Sequence, residues 1–100
     1  MSKLYFTLTG TNHYYGSDFI EPGMKIKLIK EPDNPYDHEA IRVEDKFLGK
    51  IGYVANSTYT VMGDTCSAGR LYNSIRKKAK AKVVRVTPRG AICKVYDGIK

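Results

Sequence analysis

Leu4, Phe6 and Leu8 alternate with Tyr5, Thr7 and Thr9 before Gly10, a period of two that predicts a half-buried opening strand. A polar, aromatic loop follows, and Pro22-Gly23 marks a turn into a second alternating run, where Met24, Ile26 and Leu28 are interleaved with Lys25 and Lys27. That run ends at Glu31-Pro32-Asp33-Asn34-Pro35-Tyr36-Asp37-His38-Glu39. Two prolines with Asp and Asn between them pre-set φ and supply side-chain caps, so the backbone here should form a tight, stiff corner that presents Tyr36 and Asp37. Residues 40–43 and 47–54 read as short strands joined by Glu44-Asp45-Lys46, with Gly49 and Gly52 pointing to a bulge or bend.

From 56 to 78 the alternation fades. Ser67 stands where an N-cap would start a short helix running through Leu71 and Ile75, four apart on one face. A turn of helix at 57–62 competes with the extended preference of Thr58, Tyr59, Thr60 and Val61. Residues 82–86 and 91–96 flank Pro88-Arg89-Gly90 as a closing strand–turn–strand unit. About six short strands and one or two small helices predict a mainly β protein, a closed or nearly closed small barrel.

One hundred residues suit a single domain with one modest core. No segment approaches the roughly 20 apolar residues of a membrane span, and Met1-Ser2-Lys3 leads straight into the strand pattern, so a cytoplasmic protein without membrane contact is expected. Cys66 and Cys93 read as reduced, small buried hydrophobes. With His13 and His38 they make no metal-ligand spacing, and no metal or cofactor is expected.

The net charge of +7 is unevenly placed. Residues 1–50 carry seven Lys/Arg against eight Asp/Glu, whereas residues 51–100 carry ten against two. Between Cys66 and Pro88 lie Arg70, Arg76, Lys77, Lys78, Lys80, Lys82 and Arg85 without one acid, the electrostatic footprint of a polyanion binder or the solvated face of a basic domain.

The order of these parts carries a resemblance: a Thr-Gly opening strand followed by paired tyrosines, Pro-Gly before the second strand, Glu-Pro-Asp-Asn-Pro-Tyr-Asp-x-x-Ala-Ile-x-Val, then Lys-Ile-Gly-Tyr-Val. Over about residues 4–95 the chain resembles a HIRAN domain of the stand-alone bacterial type. The resemblance implies a small barrel related to the OB fold, in a family tied to DNA repair and remodelling, that binds the free 3′ end of single-stranded DNA. Aromatic rings would meet the terminal bases, a carboxylate the 3′-hydroxyl, and polar or basic groups the phosphates. It assigns Tyr36 to a base and Asp37 to the 3′-hydroxyl, with His38 beside them, and Tyr14 or Tyr15 to a second stacking position. His13 stands where eukaryotic members have an arginine, Tyr53 at the place of a phosphate-contacting histidine, and Asn56 at that of a lysine. Arg70, Arg76, Lys77 and Lys78 are the further candidates for phosphate contact.

Each assignment has a plainer counterpart. Asp37 can cap its own turn, Tyr36 can bury its ring under the prolines, and His13 can be an ordinary loop residue. Tyr14 and Tyr15, adjacent on an extended chain, would face opposite ways, one into the core. Tyr53 can be packing, and Arg76-Lys77-Lys78 a solvated helix end. A hydrolase built on Asp33, Asp37 and Glu39 lacks a paired ligand set and a general base, and no G-x-x-x-x-G-K-[ST] phosphate loop is present, so no catalysis is expected. The alternative function is a barrel that binds a peptide or protein partner. Stacking is blind to the sugar, so RNA stays open beside single-stranded DNA.

Overall fold

The structure is a computed structural model that describes residues 4–57 and 59–100; Met1-Ser2-Lys3 and Thr58, on which two of the expectations above touch, lie outside the described residues. Six strands run in the order β1 (Tyr5–Thr9), β2 (Lys25–Lys30), β3 (Ile41–Asp45), β4 (Gly49–Val54), β5 (Ile75–Thr87) and β6 (Gly90–Ile99). A 3-10 turn (Thr11–His13) follows β1, and the short helix α1 (Ala68–Tyr72) precedes β5. The strands close into a barrel in the order β1-β4-β3-β2-β5-β6, every neighbour antiparallel. Inward positions at period two fill it: Phe6 and Leu8, Ile26 and Leu28, Ile41 and Val43, then Ala79, Ala81 and Val83 facing Ala91, Cys93 and Val95. No helix among the described residues is long and apolar enough to cross a membrane.

The mainly β barrel expected from the sequence is what forms, with differences at particular elements. The opening strand is buried on both faces at its centre: Thr7 accepts a hydrogen bond from the Met62 amide at 3.1 Å and its hydroxyl meets that of Thr65 at 2.8 Å, so the 61–66 segment covers its outer side. Phe47 and Leu48 belong to the β3–β4 turn, where the Asp45 carboxylate accepts from both their amides, and Gly49 supplies the positive φ of 73° that re-enters the strand. Ser67 does cap α1, accepting from Arg70 N, but the helix ends at Tyr72. Ile75 opens β5 instead of extending the helix, so Arg76-Lys77-Lys78 lie on a strand and are no helix end. The described residues of 57–62 form a turn closed on the Ser57 carbonyl by the amides of Thr60 and Val61. Cys93 is buried and Cys66 half-buried, both free thiols.

Candidate nucleic-acid interface

One row of outward side chains crosses four strands of the barrel. Tyr53 on β4 lies opposite Arg42 on β3, Arg42 opposite Ile29 on β2, and Ile29 opposite Lys78 on β5. This row floors an open groove of about 1000 Å³, walled by the 31–37 corner on one side and bordered by Tyr14, Lys50 and Lys77.

The corner is stiff because its own side chains satisfy its backbone. Asn34 accepts from the amides of Tyr36 (2.8 Å) and Asp37 (3.2 Å) and donates to Glu31 at 3.0 Å. The Glu31 amide donates to the Ala40 carbonyl and the Ala40 amide to that of Asp37, closing the loop at its base. Asp37 Oδ1 takes the Glu39 amide at 2.9 Å, so the turn-capping role is real. Its Oδ2 takes Asn56 Nδ2 at 2.8 Å, and Asn56 Oδ1 takes the Gly69 amide in α1. Both carboxylate oxygens keep lone-pair capacity toward solvent. The ring of Tyr36 is 95% exposed, so the plainer alternative of a ring buried under the prolines does not hold.

Glu31 is the hub beneath the groove. Its carboxylate accepts from Asn34 and from the Tyr53 hydroxyl (2.9 Å), and pairs with Arg42 at 3.4 Å and Lys50 at 3.9 Å. Burial pushes its pKa up, but the hydrogen bonds from Asn34 and Tyr53, the Lys50 charge and Arg42 outweigh it, so the group sits below its ordinary 4.5. Lys50 donates to the Tyr53 hydroxyl at 3.0 Å, and chiefly through that bond its pKa is raised. Burial, first, raises that of Tyr53. The ammonium also lies 5.1 Å from the Tyr53 ring centroid and 5.6 Å from that of Tyr14. Arg42 Nε approaches Glu44 at 2.8 Å but is poorly aligned for a hydrogen bond.

The groove thus gathers Tyr14, Tyr36, Asp37, Tyr53, Lys77 and Lys78 from among the residues singled out in the sequence. Asn56 touches it through Asp37. His38 sits on the outside of the corner, its Nδ1 3.3 Å from the Pro32 carbonyl. His13, Tyr15, Arg70 and Arg76 are not among the groove's lining residues; Arg70 faces a polar hollow with Asn56, Ser57 and Asp64. Tyr14 and Tyr15 follow a 3-10 turn instead of an extended run, so neither enters the core: Tyr14 faces the groove, and Tyr15 packs edge-on against Phe19.

Sequence reading missed Glu31, Arg42 and Lys50. Lys50 and Tyr53 are three apart and would face opposite ways on a regular strand. In β4, however, Val43 pairs with Gly52 and Glu44 with Lys50, leaving Ile51 as a bulge residue that turns both polar side chains outward. Gly49 and Gly52 were the available signal for that bulge. Among the described residues no group of three His, Cys, Asp or Glu side chains is placed to hold a metal ion.

A family model for the HIRAN domain matches residues 1–69, from β1 into α1. The fold resembles the crystal structure of the HIRAN domain of human HLTF, with a TM-score of 0.62 at 17% identity, over 96% of this chain and 76% of that one. No curated protein matches the chain. With the family match spanning more than half its length, and the same barrel carried through β5 and β6, the chain belongs to the HIRAN domain family, a family of DNA-binding domains.

Proposed function

We propose that the groove is a non-catalytic binding site for the 3′-terminal nucleotides of single-stranded DNA. The observation that carries this reading is the Tyr36–Asp37 corner: a fully presented aromatic ring next to a carboxylate, both held by Asn34 and Asn56, at the rim of an open groove. Tyr36 offers a stacking platform to one base and Tyr14 to another; each stacked base contributes on the order of 1–3 kcal/mol and does so without regard to sequence. Asp37 accepts a hydrogen bond from the terminal 3′-hydroxyl. The same carboxylate repels a phosphate at that position, so a continuing or 3′-phosphorylated strand is disfavoured. Lys77 and Lys78 meet the phosphates, adding salt-dependent affinity without sequence choice.

Fluorescence anisotropy with a short oligodeoxynucleotide ending in a 3′-hydroxyl, beside its 3′-phosphorylated form, tests this. The hydroxyl form should bind more tightly, and Asp37→Asn should narrow the difference. Equal binding of both by the wild-type protein refutes end reading. Absence of binding to either, with capture of a peptide at the same corner, would replace the DNA site with a protein-interaction barrel. A ribo-oligonucleotide of the same sequence reads whether the sugar is discriminated.

A further inference from the structure

Two of the groove's cations, Arg42 and Lys50, are largely neutralised where they stand. Arg42 pairs with Glu31 and Glu44, and Lys50 with Glu31. A different group of cations on the outer face of the barrel has the opposite arrangement. Two residues back along β2 from the groove row, Lys27 lies directly opposite Lys80 on β5; two further back, Lys25 lies opposite Lys82, which in turn lies opposite Lys94 on β6. Tyr5 on β1 ends this last row, with the Lys94 ammonium 5.9 Å from its ring centroid. Glu44 and Asp97 flank the Lys27–Lys80 pair in register, but no carboxylate stands in the Lys25–Lys82–Lys94 row, and among the described residues none of the five lysines makes an ion pair.

Like charges directly opposite one another across strands destabilise a sheet. A merely solvated surface has no reason to hold five in register, whereas a surface that receives phosphates does. The geometry has a direction as well. Alternate residues on a strand are about 6.8 Å apart and neighbouring strands about 4.8 Å. The lysines therefore form a strip that begins at Lys78, on the groove floor, follows β5 through Lys80 to Lys82, and widens to about 10 Å at the three-strand row of Lys25, Lys82 and Lys94. Most of the strip, on β5 and β6, lies beyond the segment matched by the family model.

We propose that this strip is a phosphate track: the single strand whose 3′ end occupies the groove leaves it at Lys78, and its backbone runs along β5 over Lys80 and Lys27 to the Lys25–Lys82–Lys94 row. The proposal rests on the groove being a DNA-end site. It assigns to the row the nucleotides 5′ of those held by the tyrosines, and it makes affinity depend on strand length.

The test compares 3′-hydroxyl oligodeoxynucleotides of about four and about fourteen nucleotides, within the range of site sizes of barrel domains that bind single strands. Anisotropy titrations over a series of salt concentrations are run on the wild type and on the triple variant Lys25→Gln, Lys82→Gln, Lys94→Gln. The wild type should bind the longer strand more tightly and with the steeper salt dependence. The triple variant should match it on the short strand yet lose affinity on the long one, its log–log salt slope shallower by about 2, from three phosphate contacts at about 0.7 each. The corresponding triple Arg variant should bind the long strand as the wild type does. A thermal midpoint at or above the wild-type value, from relief of repulsion, establishes that the Gln variant is folded. Wild-type affinity and slope for the Gln variant on the long strand, with short-strand binding intact, overturn the track alone, as does a wild type indifferent to length. Failure of the wild type to bind either strand overturns the groove reading and the track together.

Discussion

Replacing Glu31 by Gln should make the protein less stable and, at the same time, a better ligand for DNA. The substitution keeps the shape of the side chain and removes its charge. Glu31 is only 16% exposed and holds Tyr53, Asn34, Arg42 and Lys50 around one carboxylate. A Gln carbonyl can still accept from Asn34 or the Tyr53 hydroxyl, but the amide nitrogen turned toward Arg42 and Lys50 cannot pair with them. Hydrogen bonds to charged groups contribute about 1.5–3 kcal/mol each; the two lost contacts are long, and their cations are about one-third exposed, which brings the expected loss to about 1–2 kcal/mol at neutral pH. Because the folded-state pKa of Glu31 lies below 4.5, its charged form contributes stability that is fully present above that value and lost as pH falls through the depressed one. The gap between wild type and variant, read from urea unfolding, should therefore be widest near neutrality and close in acid. Lys50, released from Glu31 while Arg42 stays paired with Glu44, should meanwhile bind phosphate, and the salt slope for single-stranded DNA should steepen by about 0.7 for one added contact. A pH-independent stability difference, or weaker DNA binding with an unchanged slope, would refute the account of Glu31 as a neutralising hub.

Tyr36→Ala should leave the unfolding free energy within about 0.5 kcal/mol of wild type, since the ring is exposed, while single-stranded DNA affinity falls by roughly 1–3 kcal/mol in a binding titration. Burial pushes the Cys93 thiol up to about 12, so a thiol-specific reagent at neutral pH should label Cys66 in the folded protein and Cys93 only after denaturation, as mass mapping will show. Gly98 has φ +87°, and a Cβ there would stand 2.7 Å from the Ala79 Cα. Gly98→Ala should therefore destabilise by about 2 kcal/mol or more in chemical denaturation, the sum of backbone strain and overpacking; a change under 0.5 kcal/mol would show that β6 shifts freely at that point.

The strands legible in the sequence were those whose inward residues are large. Ile26 and Leu28, or Phe6 and Leu8, announce their alternation. The sequence pattern points to a helix through Ile75 and to a strand only from Lys82, because the inward residues in between are Ala79 and Ala81, interleaved with Lys78, Lys80 and Lys82. The period of two is present there, but the interior has room only for methyl groups, with Gly98 pressed against Ala79, so the hydrophobic signal is faint. The site divides the same way. Local turn chemistry made the Tyr36–Asp37 corner readable. Gly49 and Gly52 signal the bulge at Ile51, but the Glu31 network also depends on pairing across β2, β3 and β4, a relation between segments that no local pattern encodes.

The seam of the barrel joins Tyr5 to Lys94 and Leu8 to Ala91, so the opening strand finds one of its two partners only in the final one. Contacts this distant along the chain make for slow folding, on the millisecond-to-second scale of β-barrels. They also set an order of events at the ribosome. The hairpin of β3 and β4 and its pairing with β2 can form early, but Lys77 and Lys78 reach the groove only after β5 docks on β2, and the cylinder shuts only when β6 has emerged. A nascent chain therefore carries the aromatic corner before Lys77 and Lys78 are brought beside it. On the proposed reading of the groove, binding of a DNA end requires the finished barrel, so it would serve as a direct reporter of completed folding.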